Sequence, residues 1–338
     1  MKKTAKKPVL ALTMGDPCGI GPEVILRALA ARRARAAARF VVFGSEAVLR
    51  RVADAFAISL PRLSRVSASN VRVLERTVAI VDDVPCPAGL ALRGRVTKKG
   101  GDASFRWVVA AIDAALAGSV DAVVTAPISK EAVAKAGHDW PGHTEILAAR
   151  TGARKPVMTM VGGGLRVALV TTHVAIADLP RAITRGNVLR TLRVVHEDTK
   201  RYFGIRRPRL AVCGLNPHAG EAGRFGTEER TAIAPAIRRA RREGVRCEGP
   251  VPADVAFTLA QREKYDAVVA MYHDQATIPV KTLAFDRGVN VTLGLPIVRT
   301  SPDHGTAFDI AAKGIANPGS MIAAIQMAAR MACFGRRR

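Results

Sequence analysis

Three histidines stand where an α/β chain can gather metal ligands. His173 follows the apolar run 167–172, and His273 follows 267–272 and precedes Asp274. His218 follows 210–213, within Gly214-Leu215-Asn216-Pro217-His218-Ala219-Gly220-Glu221. In parallel α/β sheets, ligands bind beyond the carboxyl ends of strands. Three neutral imidazoles leaving three strand ends suit a divalent ion and leave coordination positions open for a substrate. Taken singly, a histidine at a strand end is more often a hydrogen-bonding structural residue. These three form no compact sequence motif, so their convergence is an expectation that the fold has to meet.

A second set is suited to anions. Lys281, Asn290 and Arg299, expected on successive strand and loop segments, offer charge-assisted hydrogen bonds to a phosphate or carboxylate. The alternative is a solvated Lys and an exposed Arg in a basic protein. That alternative is weaker for Arg299, whose surroundings are largely apolar. Pro141-Gly142-His143-Thr144-Glu145 opens a helix whose free N–H groups, with His143 and Thr144, suit an anion. A plain Thr/Glu helix start explains the same residues. Gly15, Gly19 and Gly21 do not have the dinucleotide-binding spacing, and no Gly-Lys-Ser/Thr phosphate loop occurs.

The elements that must position these residues alternate short apolar runs with amphipathic stretches, the pattern of an α/β protein. Strands are expected over 9–14, 40–43, 79–81, 122–125, 157–160, 167–171, 210–213, 267–271 and 289–293. Helices are expected over 22–37, 103–116, 185–203, 228–243, 254–262 and 319–332. Gly162-Gly163-Gly164 reads as a hairpin turn, and Thr227 as an N-cap followed by acidic Glu228 and Glu229. Composition marks no domain boundary.

With 338 residues and 49% apolar content, the chain has material for a large core, and aromatics at 4% leave that core to aliphatic side chains. No apolar run is long enough to span a bilayer, and the basic start followed by 9–14 is too short for a signal core, so a cytoplasmic protein is expected. Five widely spaced cysteines without Cys-x-x-Cys fit reduced thiols, with Cys18 a small packing residue. The net charge of +24 raises a nucleic-acid function. Its arginines are scattered beside alanines on separate helices (Arg27, Arg32, Arg33, Arg35, Arg238, Arg239, Arg241, Arg242), which reads as solvated helix faces with only non-specific attraction.

Beyond these readings, the chain resembles the 4-hydroxythreonine-4-phosphate dehydrogenase family of vitamin B6 synthesis. The resemblance lies in Met14-Gly15-Asp16-Pro17 with Gly19-Ile20-Gly21-Pro22-Glu23, Thr125-Ala126-Pro127-Ile128, Gly142-His143-Thr144-Glu145, the block 214–221, Met271-Tyr272-His273-Asp274-Gln275, the block 288–295, and Arg299-Thr300-Ser301-Pro302-Asp303-His304-Gly305-Thr306-Ala307. The two ends also echo isocitrate and isopropylmalate dehydrogenases, through 19–23 and Lys313-Gly314-Ile315-Ala316-Asn317-Pro318.

The resemblance implies a two-domain α/β/α subunit of the isocitrate/isopropylmalate dehydrogenase-like type. It implies a homodimer with the site in the interdomain cleft at the dimer interface. One divalent ion, zinc, magnesium or cobalt, is then expected on His173, His218 and His273, partly across the dimer. Substrate contacts are expected from His143, Thr144, Lys281, Asn290 and Arg299, and NAD or NADP at His304, Gly305, Thr306, Ala307 and Asn317. Asp254 and Asp274 are candidates for proton transfer or for orienting a histidine. The activity implied is NAD-dependent oxidation and decarboxylation of 4-phosphooxy-L-threonine to 3-amino-2-oxopropyl phosphate. Two alternatives stand beside it: a dehydrogenase of threonate or erythronate 4-phosphate, and, from another class, a nucleic-acid binder on this scaffold.

Overall fold

The computed structural model describes residues 7–68, 71, 77–258 and 263–335. These fall into two compact units: unit 1 within 1–155 and 295–336, and unit 2 within Pro156–Gly294. Unit 1 begins with β1 (Val9–Thr13), α1 (Gly21–Ala30), α2 (Arg32–Ala37), β2 (Arg39–Phe43), α3 (Glu46–Ala55), β3 (Leu63–Arg65) and β4 (Val78–Val81). It continues with α4 (Lys98–Leu116), β5 (Ala122–Thr125), α5 (Lys130–Lys135) and α6 (His143–Thr151). Unit 2 contains β6 (Val157–Gly162), β7 (Leu165–Leu169), α7 (Arg185–Phe203), β8 (Arg209–Cys213), α8 (Ala234–Arg242), β9 (Arg246–Val251), β10 (Ala267–Ala270), α9 (His273–Ala284) and β11 (Val289–Leu293). The chain returns to unit 1 for β12 (Arg299–Pro302) and α10 (Gly319–Gly335).

Unit 1 is a parallel sheet in the order β3-β4-β2-β1-β5-β12. Its central strands are buried on both faces, which is why they read as unbroken apolar runs instead of alternating ones. Helices α4 and α10 pack on β1 and β5. Trp107, Val108, Ala111 and Ile112 form the buried stripe of α4, each large side chain contributing roughly 1.5–3 kcal/mol by leaving water. Serine and threonine caps start the helices: Ser45, Thr97, Ser129 and Thr184 accept from the N–H three residues on.

Unit 2 has the order β11-β6-β7-β10-β8-β9. β11, β6 and β7 are antiparallel neighbours, while β7, β10, β8 and β9 run parallel. The β6–β7 link is the glycine hairpin: Gly163 and Gly164 both take positive φ, +57° and +83°, as a two-residue turn of this hand requires. The core gathers Met160, Leu165, Val167 and Leu169 with Ala211, Val268, Ala276 and Val280.

Several sequence expectations need correction. The helix expected over 22–37 breaks at Ala31, whose ψ of 126° is extended. The second piece buries Ala34 and leaves Arg32, Arg33 and Arg35 in solvent. The helix expected over 254–262 is the short Ala253–Ala256, and 259–262 lie outside the described residues. Lys281 is on helix α9, not on a strand or loop, and β3, β9 and β12 are additional strands. Arg238, Arg239, Arg241 and Arg242 are exposed, in keeping with solvated helix faces, but Arg27 is half-buried and hydrogen-bonded to Glu23 and the Gly314 carbonyl, so it does not belong with them. No described helix is long and apolar enough to cross a membrane.

Candidate active site

In unit 2, β7 and β10 are adjacent parallel strands, so the segments leaving their carboxyl ends lie side by side. Thr171 donates from its hydroxyl to the Met271 carbonyl at 2.7 Å and ties the two exits together. This brings His173 and His273 into a pair with ring centres 5.6 Å apart. Two imidazoles sharing one ion at metal–nitrogen distances of ~2.1 Å have ring centres roughly 5 Å apart, so the pair fits a divalent metal. His273 Nδ1 lies 2.7 Å from Asp274 Oδ1. An Nδ1–H given to Asp274 leaves the Nε2 lone pair for a metal. Thr172, His173, Ile176, Tyr272, His273 and Asp274 line a hollow of ≈ 230 Å³.

His218 is not part of that pair. It is exposed after β8, tilted against Phe225 with ring centres 6.4 Å apart. Among the described residues, no group of three or more His, Cys, Asp or Glu side chains is arranged to hold a metal. The backbone around His218 is unusual. His218, Ala219, Gly220, Glu221 and Ala222 all take left-handed angles, with φ from 39° to 81°. For residues with a Cβ this conformation costs on the order of 1–2 kcal/mol each, and such strain persists only where surrounding contacts over-determine it.

The segment that enters the turn is held by Glu229. The paired acids after Thr227 were expected as first-turn charges. Thr227 makes no side-chain cap, and its carbonyl accepts from Arg230 and Thr231. Glu229 instead turns inward: Oε1 accepts from the N–H groups of Leu215 and Asn216, both at 2.8 Å, and Oε2 from Asn216 Nδ2 at 3.0 Å. Burial works against its charge, but these hydrogen bonds outweigh it and hold the carboxyl below the ordinary glutamate value.

Unit 1 has its own strand-end cluster. The chain leaves β1 toward β2 on one side and has β5 on the other, so β1/β5 is a switch point of the sheet. The crevice there is closed by protein. The Asp16 N–H donates to the Pro127 carbonyl at 2.9 Å, and a side chain on Gly15 would collide with that same oxygen. Asp16 is fully buried; its Oδ1 accepts from the Cys18 N–H at 2.9 Å, and burial pushes its pKa up to about 6. One strand further along, Arg299 is buried and donates from Nη2 to Thr125 Oγ1 at 2.7 Å.

Arg299 also acts on His143, the first residue of α6. Enclosure, and secondarily the Arg299 charge, push the His143 imidazole well below its ordinary pKa, so it is neutral near pH 7. His143 Nε2 is shut off from solvent without a hydrogen-bond partner, and Thr144 follows it half-buried. In unit 2, the half-buried Asn290 likewise has an enclosed Oδ1 without a partner, and Lys281 is half-buried. Enclosed polar atoms of this kind call for a ligand or ordered water.

The expected cofactor segment rests on the glycine motif after β1. The Ile20 N–H donates to the Thr306 carbonyl at 3.0 Å, and Gly19 leaves no room for a side chain beneath that oxygen. His304 Nε2 is enclosed without a partner, Ala307 takes a positive φ of 43°, and open space faces Gly305. Asn317 is exposed and accepts from the Gly319 N–H. Asp254 is exposed on its short helix. Thr125 and Asp16 are residues that sequence reasoning left without a role, and Glu229 one that it read only as a helix-start charge. For Glu229 the available signal was the density of glycines at 214, 220, 223 and 226 around one buried acid.

These features define an α/β chain of two units, each carrying enclosed polar side chains on the segments that leave its strands. The family model described as Pyridoxal phosphate biosynthetic protein PdxA matches residues 36–328, and the chain belongs to that family. The 4-hydroxythreonine-4-phosphate dehydrogenase of Geobacter metallireducens is 49% identical over 327 residues, 96% of each chain. The crystal structure of the 4-hydroxythreonine-4-phosphate dehydrogenase from Klebsiella pneumoniae matches with a TM-score of 0.88 and 40% identity, covering 98% of this chain and 99% of that one. A terephthalate 1,2-cis-dihydrodiol dehydrogenase from Burkholderia xenovorans matches with a TM-score of 0.67 and 33% identity, over 96% of this chain and 98% of that one.

Proposed function

We propose that this chain is a cytoplasmic, metal-dependent NAD(P) dehydrogenase that converts 4-phosphooxy-L-threonine to 3-amino-2-oxopropyl phosphate in pyridoxal phosphate synthesis. Full-length likeness to a 4-hydroxythreonine-4-phosphate dehydrogenase at 49% identity carries the reading. The reaction removes a hydride and a hydroxyl proton from the alcohol; the bond to the carboxylate then breaks, its electron pair passes into the new ketone as an enolate, carbon dioxide leaves, and a proton returns to the carbon to give the amino ketone. When bound, the metal supplies a Lewis acid and the nicotinamide a hydride acceptor.

The chain's own residues supply the rest. His173, His273 and His218 hold the ion, and Asp274 fixes the tautomer of His273. Arg299, oriented by Thr125, and Lys281 bind the phosphate end, with a planar fork and a point charge respectively. The neutral His143 holds or accepts a proton at Nε2, and Asn290 offers Oδ1 to a substrate N–H or O–H. The segment 304–307 with Asn317 receives the nicotinamide nucleotide. The chain works as a homodimer with a shared site. Ile176, 78% exposed, stands beside the histidine pair, and Ile278 and Phe285, the latter 77% exposed, follow on and after α9. A second copy of the chain covering these exposed apolar side chains also brings its histidines to the site.

NADH formation with a panel of four-carbon phosphorylated hydroxy acids tests the reading. Turnover of 4-phosphooxy-L-threonine at least tenfold above the others is expected. Preference for threonate or erythronate 4-phosphate gives the chain to a sugar-acid substrate instead, and turnover of an unphosphorylated dihydrodiol alone removes the role of the phosphate clamp.

A further inference from the structure

We infer that Glu229 is a positioning residue for the metal site, holding His218 in its left-handed turn. The inference rests on the proposed reading of His218 as a ligand, and it assigns the cause of that residue's placement. His218 is exposed, so its own packing does not set its backbone. The five consecutive left-handed residues from His218 to Ala222 carry backbone hydrogen bonds of their own, from the Ala219 N–H to the Asn216 carbonyl at 3.1 Å and from the Phe225 N–H to the Gly220 carbonyl at 3.2 Å, but strain of this kind also needs the entry to the turn held in place.

The buried Glu229 carboxylate does this from beneath. It takes the N–H groups of Leu215 and Asn216 just before the turn, and its Oε2 takes the Asn216 side-chain amide. The turn also lies close against the same carboxylate. A Cβ on Gly220 would stand 2.6 Å from Glu229 Oε2, and one on Gly214 would stand 3.2 Å from Oε1. Asn216 is held from the other side as well: its Nδ2 donates to Glu228 Oε2 at 2.8 Å, and Gly226 leaves the room this needs. Glu229 itself begins a π-helical turn, 229–233, of the kind often found at functional sites. One carboxylate thus fixes the entry to the left-handed run and packs closely against its midpoint.

The role is separable from general stability by a double-mutant cycle on metal binding. Zinc or cobalt ions are titrated into the metal-free full-length chain, with circular dichroism confirming the fold. Glu229→Ala is expected to weaken binding at least tenfold, with an altered visible spectrum of the cobalt form. Glu229→Gln keeps an oxygen for the two backbone N–H groups but opposes its amide to Asn216 Nδ2, so a smaller loss is expected; this variant carries the test if the alanine form does not fold. His218→Ala alone is expected to weaken binding to a similar degree, and the double variant no further. Wild-type affinity in folded Glu229 variants, or losses that multiply in the double variant, overturns the inference. Wild-type affinity in His218→Ala removes the ligand reading itself and the inference with it.

Discussion

Arg299 and Thr125 sit on neighbouring parallel strands and are joined by a 2.7 Å hydrogen bond from Nη2 to Oγ1. The bond fixes the plane of a buried guanidinium, and with it the direction of the remaining N–H groups. Thr125→Val removes the acceptor and frees that plane. A hydrogen bond to a charged group is worth about 1.5–3 kcal/mol, which corresponds to roughly 10–100-fold. The expected outcome is a KM for the phosphorylated substrate raised by on the order of tenfold, with kcat changed less. Arg299→Lys is expected to raise KM further, because a point charge does not reproduce the fork. Steady-state kinetics of both variants decide it, and unchanged values would place Arg299 outside the binding surface.

The His173–His273 pair predicts metal dependence with a graded pattern. Chelation is expected to abolish NADH formation, and added zinc or cobalt to restore it. Replacing either histidine with Ala removes a ligand and is expected to eliminate stoichiometric metal. Asp274→Asn leaves both imidazoles but loses the carboxylate 2.7 Å from His273 Nδ1. Partners of this kind are typically worth 10–100-fold in metal affinity. Metal content by elemental analysis and affinity by titration read the series; full activity after exhaustive chelation would remove the metal from the mechanism.

The sequence was most legible where one physical signal dominated. β5 and β11 have the expected bounds because their apolar runs end abruptly, and α7 because Thr184 caps it and Gly204 stops it in a left-handed conformation. β12 was not legible, since Arg-Thr-Ser-Pro is buried through hydrogen bonding and neighbouring strands, not apolar content. Helix α9 was obscured by Pro279 in its interior. The closeness of His173 and His273 follows from adjacent strand ends, where the sequence led to an expectation of three converging histidines. The left-handed turn of His218 was not legible, because four of its five residues are not glycine and the carboxylate that holds its entry lies beyond the turn.

The cofactor assignment predicts a selective effect from residues remote from the substrate. Glu23 is buried on α1 and accepts at Oε1 from Arg27 Nε at 2.8 Å and from the Ala316 N–H at 3.1 Å. Arg27 in turn donates from Nη2 to the Gly314 carbonyl at 2.6 Å. Together they fix the backbone immediately before Asn317. Arg27→Ala is expected to raise KM for the nicotinamide nucleotide several-fold and leave KM for the phosphorylated substrate within twofold. Equal changes in both constants, measured by varying each substrate in turn, would detach the 314–317 segment from the cofactor.

Asp16 predicts the sign of a pH effect on stability. Burial raises its folded pKa from 3.8 to about 6, so the folded state binds its proton more tightly than the unfolded chain does. A raised pKa contributes stability that is fully present below the unfolded value and is lost as pH rises through the folded one, here between about pH 4 and 6. Above that window, the ionised buried carboxylate costs up to about 3 kcal/mol, from a shift of roughly two units at 1.36 kcal/mol each. Asp16→Asn keeps an oxygen to accept from the Cys18 N–H and carries no charge at any pH. The variant is therefore expected to gain stability relative to the parent on going from pH 4 to pH 7, approaching that figure. Denaturant midpoints of both proteins across the range measure it. A difference that is flat with pH, or one that runs in the parent's favour at pH 7, would mean that the Asp16 carboxylate is stabilised by contacts stronger than those it receives from the Cys18 backbone and side chain.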